Sequence, residues 1–176
     1  VPGAYRFMVG GDPRRLSGFQ EGAFVIQELG AQLVGHALGA LPGERVLDVC
    51  AGRGPKTMLL AGQVGGAGHV LATDRHEHKG RALAVEAERL GVPVETQAWD
   101  WTNPPPESFQ GTFDRVVVDA PCSGVGTLRR RPEISRRLSA EDPARLGQLQ
   151  QILLAHAAQA VRRGGVLLFA TCSVLS

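Results

Sequence analysis

Cysteine is scarce in this 176-residue chain: there are three, Cys50, Cys122 and Cys172, far apart and without a C-x-x-C pair. An odd count at such spacings argues against a disulfide framework and against a zinc site, and fits a protein of the reducing cytoplasm. Lysine is scarcer still, with two among nineteen basic residues. No apolar run reaches the roughly eighteen residues that a membrane span needs. Residues 1–10 lack the charged and apolar regions of a signal peptide. An initiating methionine is also missing, as expected of an excised piece or an incomplete sequence. There is no internal repeat and no low-complexity tract.

The hydrophobic share, 43%, is that of an ordinary globular domain. A chain of this length buries roughly 70% of its unfolded surface around one core. The net charge of +2 is too small to declare a nucleic-acid partner. Its distribution says more, because Arg129, Arg130, Arg131, Arg136 and Arg137 fall together. Arginine suits phosphate because its planar fork makes paired hydrogen bonds. The same run also reads as a plain solvated surface, and charge alone leaves the two readings open.

Apolar periodicity lays out the chain. Ile26, Leu29, Leu33 and Ala37 recur at helical spacing and predict an amphipathic helix over 21–38, which Pro42 and Gly43 end. Short apolar strands are expected at 45–50, 70–74, 92–98, 113–119 and 166–170. Helices are expected from Pro55, over 76–90, and from Pro143, where Ser139 and Asp142 form a capping-box pattern. The inner face of this last helix is expected to be Leu146, Leu149, Leu153, Ala157 and Ala160. Strands alternating with helices predict a mostly parallel, doubly wound α/β sheet with helices on both faces. In such sheets ligands sit beyond the strand carboxyl ends, where the strand order reverses. Cys50, Asp74, Asp119 and Cys172 all fall at such ends, and Cys122 lies three residues past one.

The turn from Cys50 to Thr57 is Gly-rich and opens a helix, as a ligand-binding turn would. It is neither a P-loop nor a good dinucleotide fingerprint, since the third glycine would fall at Thr57. Asp74, 22 residues beyond Gly52, is placed to accept ribose hydroxyls or simply to start the next helix. Asp100, between Trp99 and Trp101, either meets an adenine edge or is a turn residue. The segment Asp119-Ala-Pro-Cys-Ser-Gly124 holds Cys122 in a loop, and Thr171-Cys-Ser173 places Cys172 after a buried strand. Cys50, inside an apolar strand end, reads better as a small buried hydrophobe.

Two thiols at neighbouring strand ends suit one chemical problem. Carbon 5 of a pyrimidine is a poor nucleophile, but thiolate addition at carbon 6 makes it enamine-like. The attacking cysteine is therefore expected to have its pKa lowered by positive charge or a helix dipole. A base must afterwards take the carbon 5 proton so that the thiolate can leave.

On GAFVIQELGAQLV, PGERVLDVCAGRGPKT, DAPCSGVGTLRRRPEI and RRGGVLLFATCS, the chain resembles the Sun/Fmu (NSUN-type) RNA cytosine-5 methyltransferases. The resemblance implies a Rossmann-like class I methyltransferase domain over 41–176, lacking its closing strands, with a lead-in and helix over 1–40 packed on it. It implies S-adenosyl-L-methionine as cofactor and ribosomal or transfer RNA as substrate, with no metal and no membrane. It makes Cys172 the nucleophile and Cys122 the group that assists release. It assigns cofactor contacts to Cys50, Ala51, Gly52, Arg53, Gly54, Pro55, Lys56, Asp74, Asp100 and Asp119, with Asp119 also near the base. Arg129, Arg130 and Arg131 are the candidates for RNA contact. The chain departs from the family pattern CAAPGGKT at Arg53 and Pro55. There an arginine would crowd the methionine end or pair with its carboxylate, and a proline removes one N–H. Two competing readings are a non-catalytic RNA-binding scaffold and a nicotinamide-dependent oxidoreductase.

Overall fold

The structure, a computed structural model, describes residues 3–8 and 10–174. After a lead-in with a short helix α1 (Ser17–Gln20), the elements are α2 (Leu29–Ala37), β1 (Arg45–Asp48), α3 (Pro55–Val64), β2 (His69–Asp74), α4 (Glu77–Leu90), β3 (Val94–Ala98), β4 (Phe113–Asp119), α5 (Asp142–Ala160) and β5 (Val161–Ala170). Every strand pair is parallel and the sheet order is β3-β2-β1-β4-β5. This is the doubly wound sheet expected from the alternation.

The central strands are apolar on both faces because both faces are covered. On one, Leu47, Val116 and Val118 pack with Trp101, Phe109 and the inner residues of α5, Leu153, Ala157 and Ala160. On the other, Val46, Val70 and Val117 pack with Leu38 and with Leu60, Ala61 and Val64 of α3. Leu149 packs at the margin of the first cluster. Pro55 opens α3, and Pro143 lies in the first turn of α5. Asp142 Oδ2 accepts the Ser139 N–H at 2.9 Å, so one half of the capping box forms.

The N-terminal helix is shorter than its periodicity suggests, and it faces the other way. It begins at Leu29, capped by the Glu28 carboxylate. Ile26, Leu29 and Leu33, the expected inner stripe, are 45%, 56% and 54% exposed. The packed side is instead Val34 and Leu38, with Gly35 against Leu59 of α3. The helical backbone stops at Glu28, whose ψ of 143° is extended, and further back Gly22 takes a left-handed φ of +75° where its backbone abuts that of Arg89. Arg89 anchors this lead-in: its guanidinium donates to the carbonyls of Phe19 and Phe24 and lies 4.0 Å from the Phe19 ring centroid. At the other end, β5 starts five residues before the expected Val166, with an irregular register opposite Phe113 and Arg115.

Candidate active site

The strand order changes direction between β1 and β4. Over their carboxyl ends opens a cleft of about 240 Å³, lined by Val49, Cys50, Gly52, Asp74, Trp99, Asp100, Asp119 and Leu153 among others. Cys50, Gly52, Asp74, Asp100 and Asp119 are thus brought together as the sequence predicts.

One wall is the Gly-rich turn, held from beneath. Asp48, at the end of β1, is buried, and its Oδ2 accepts the Thr57 hydroxyl at 2.7 Å, tying the first turn of α3 to the strand. Its Oδ1 has no hydrogen-bond partner among the described residues. Burial pushes this carboxyl up to about 7, against the opposing pull of the Thr57 hydroxyl. Beside it the Thr73 hydroxyl lies 3.1 and 3.0 Å from the carbonyls of Asp48 and Val49 and accepts the Trp101 indole N–H at 2.8 Å. The turn above needs glycine at Gly54, where φ is +83° and an added Cβ would stand 2.5 Å from Leu83 Cγ.

The acidic side chains differ in what they have left to offer. Asp74 already accepts the Gly52 N–H at 3.2 Å, the His76 N–H at 2.9 Å and the Lys79 ammonium at 3.2 Å. Asp100 Oδ1 accepts from the Thr102 N–H and hydroxyl at 2.9 and 2.8 Å, which holds its carboxyl below the usual range. Asp100 Oδ2 makes no hydrogen bond among the described residues. Asp119 pairs with Lys56 at 2.5 Å. Ala51, Arg53, Gly54, Pro55 and Lys56 do not line the cleft. Arg53 and Pro55 in particular are exposed.

The two other cysteines stand on the loops after β4 and β5, beside the cleft: Asp119 and Pro121 line it, whereas Cys122 and Cys172 do not. Cys122 Sγ lies 2.9 Å from Cys172 Sγ and accepts the Cys172 N–H at 3.2 Å. Both are free thiols, as is Cys50. The expected lowering of the Cys172 pKa is not found. Partial burial and the neighbouring Cys122 sulfur push this thiol up to about 11, with the Asp119 carboxylate adding to the shift. Burial pushes Cys50 further, to about 12, in keeping with a packing role.

Arg129, Arg130 and Arg131 follow the Cys122 loop on the surface, all exposed. Arg130 is engaged by Glu28 at 2.6 Å, and Arg131 stands 3.9 Å from Glu133. Sequence reasoning missed Asp48, which hides inside an apolar strand, and the cleft-lining Arg75, His76 and Lys79. Lys79 had a signal: a cation in the first turn of a helix opposes the helix dipole unless a carboxylate holds it.

The cleft suits a nucleoside. Its walls are apolar at Val49, Trp99, Leu149 and Leu153, with acceptors at Asp74 and Asp100. Among the described residues no group of three or more potential ligands could hold a metal, and no helix is long and apolar enough to cross a membrane.

Comparison with known proteins agrees with this geometry. The chain is 45% identical over 137 residues, 78% of its length, to the ribosomal RNA small subunit methyltransferase B of Thermus thermophilus. It is 35% identical over 99% of its length to the protein of the same name from Klebsiella pneumoniae. It spans 33% and 40% of those two relatives. Among solved structures, NSun6 from Pyrococcus horikoshii with SFG superposes with a TM-score of 0.84 at 25% identity, over 94% of this chain and 42% of that one. A methyltransferase homolog from the same organism gives 0.80 at 30% identity, over 94% of this chain and 51% of its own. A SAM-dependent O-methyltransferase from Thermotoga maritima, at 17% identity and a TM-score of 0.58 over 84% of this chain and 44% of its own, shares the fold. Residues 36–176 match the family described as 16S rRNA methyltransferase RsmB/F, and the chain belongs to that family.

Proposed function

We propose that this chain is the catalytic core of an S-adenosyl-L-methionine-dependent enzyme that methylates carbon 5 of a cytosine in small-subunit ribosomal RNA. The observation that carries the reading is the pair of thiols 2.9 Å apart at the ends of adjoining strands, beside a nucleoside-sized cleft. Bound S-adenosyl-L-methionine supplies an electrophilic methyl group. Asp74 and Asp100 bind its nucleoside: Asp74 shares its carboxylate between ribose hydroxyls and Lys79, and Asp100 offers Oδ2 to the base. Gly52, at φ +59° with only the Cys50 carbonyl oxygen, at 4.0 Å, near where a Cβ would be, lets the backbone approach.

Cys172 adds to carbon 6 of the cytosine, so that the C5–C6 π electrons become available at carbon 5 for the methyl group. A base then takes the carbon 5 proton, the electrons of that C–H bond re-form C5=C6, and the C6–S bond breaks with its electron pair returning to Cys172 as thiolate. Cys122 serves that release. Because the resting Cys172 is held as a neutral thiol, its proton must leave as the base arrives. Asp119, at the end of β4, orients the base while Lys56 neutralises it. Arg129, Arg130 and Arg131 meet the RNA backbone.

Bisulfite sequencing of small-subunit ribosomal RNA from cells lacking the gene should show the loss of one methylated cytosine. With purified protein, Cys172→Ala should abolish methylation and give no covalent complex. Cys122→Ala should attack and methylate but release slowly, so an RNA adduct accumulates on a denaturing gel. Adduct trapped by Cys172→Ala and absent in Cys122→Ala would reverse the roles. If neither variant differs from the parent, the thiols are structural and the enzymatic reading fails.

A further inference from the structure

The two thiol-bearing loops run side by side past the end of the sheet. The last ladder bond is Ala120 N–H to the Ala170 carbonyl, at 2.9 Å. Beyond it the loops keep their register, but the ties between them pass largely to side chains. Cys122 meets Cys172, and one residue further Ser123 Oγ meets Ser173 Oγ at 2.8 Å. Gly126 N–H closes the set on the Cys172 carbonyl at 2.9 Å, where an added Cβ would stand 2.8 Å from the same oxygen.

These ties are unequal. A thiol is a weak donor and a weak acceptor, so the sulfur contact cannot by itself hold two loops together. A hydroxyl pair at 2.8 Å is at the best O–H···O separation. Ser123 is only 8% exposed, so its hydroxyl needs a protein partner. The strongest side-chain bond between the loops therefore sits one residue beyond the reactive pair.

We infer that Ser123 and Ser173 are positioning residues: their hydroxyl bond fixes the separation of Cys122 from Cys172, and with it the hand-over from attack to release. The inference rests on the roles proposed for the two cysteines. Neither serine touches the base; each acts through the cysteine that precedes it.

The test uses the purified protein and the variants Ser123→Ala, Ser173→Ala, the double variant and Ser173→Thr. The first measurement needs no RNA. Diamide takes two electrons and two protons from the thiols and is reduced to the hydrazine, leaving a Cys122–Cys172 disulfide. The closing rate, followed by a mass loss of two hydrogens in the linked peptides, reads how well the thiols are held together. The second measurement is steady-state methylation of in vitro transcribed small-subunit ribosomal RNA. Each alanine variant should close the disulfide roughly tenfold more slowly and lower kcat roughly tenfold, with both KM values within about twofold, as for a reacting group displaced without loss of binding. The double variant should be no worse than either single one, and Ser173→Thr should restore both rates.

Unchanged closing rates and unchanged kcat would overturn the inference. So would slowed closing with unchanged kcat, since the spacing would then serve nothing in the reaction. If Ser123→Ala does not fold, Ser173→Ala, at a half-buried position, decides alone. A Cys172→Ala protein that still methylates would refute the nucleophile assignment separately, and disulfide closing would still judge whether the serines hold the thiols.

Discussion

The Gly-rich turn that walls the cleft and the thiol-bearing loops beside it both leave strand carboxyl ends, yet they are held in opposite ways. The Gly-rich turn after β1 is fixed by the core below it: Asp48 holds Thr57, Thr73 holds the β1 carbonyls, and Trp101 holds Thr73. The loops after β4 and β5 are held chiefly by each other, through the cysteine and serine pairs. The first arrangement gives a preformed recess for a ligand that always has the same shape. The second leaves the reactive groups in register with one another, but at an exposed rim where a long polymer can reach them.

That contrast can be broken most severely at Gly54. Gly54→Ala places a side chain at φ +83° and drives it into Leu83. The left-handed strain and the overpacking together should cost about 2–4 kcal/mol. Denaturant unfolding would measure this, and cofactor affinity by calorimetry should fall with it while disulfide closing between the thiols stays put. If the loss is below about 1 kcal/mol, the turn is not held as described.

Asp74→Ala should lose roughly 1–3 kcal/mol of S-adenosylmethionine affinity, the scale of a hydrogen bond to a charged group. RNA binding should be unchanged. Calorimetry with unaltered cofactor affinity would move the ribose away from β2.

The converse variant lies on the surface after the Cys122 loop. Replacing Arg129, Arg130 and Arg131 with alanine should weaken RNA binding about tenfold and flatten its salt dependence, because fewer counterions are displaced. Cofactor binding should not change. The same affinity and salt slope in a filter-binding titration would make the cluster a solvated surface.

The smallest effect concerns Asp48. Its carboxyl, raised from 3.8 to about 7 by burial, binds a proton more tightly in the fold than in the unfolded chain. Its contribution to stability is full below pH 4 and is lost as pH rises through about 7. Asp48→Asn keeps an acceptor for Thr57 and removes that loss. The melting temperature of the variant relative to the parent should therefore be a few degrees more favourable at pH 8 than at pH 5. An identical difference at both values would mean that the carboxyl does not titrate there.

Much of this comparison was legible in the sequence, but unevenly. The strands stood out because a parallel sheet covered on both faces needs apolar runs, and the punctuating Gly and Pro residues marked their ends. The site residues followed from their places at those ends. The N-terminal helix misled because periodicity shows that an apolar stripe exists, and not whether anything covers it; Leu29 and Leu33 lie bare while Gly35 packs. The thiol pKa could not be read because it depends first on burial and on the Cys122 sulfur, which only the fold brings against Cys172 across 50 residues of chain. The serine pair was invisible for a similar reason, since only the register of β4 against β5 brings 123 to 173.

The packing of Gly54 against Leu83 also says how this loop can drift. Residues 53 and 55 point to solvent and residue 54 is buried, so three consecutive positions face different selection. Positions 53 and 55 are exposed and outside the cleft lining, and an arginine and a proline stand there. A change at 54 must first be accepted by helix α4. Directed evolution of the turn for a bulkier methyl donor should therefore return variants at 53 and 55 freely. Variants at 54 should appear only after a second substitution has made Leu83 smaller.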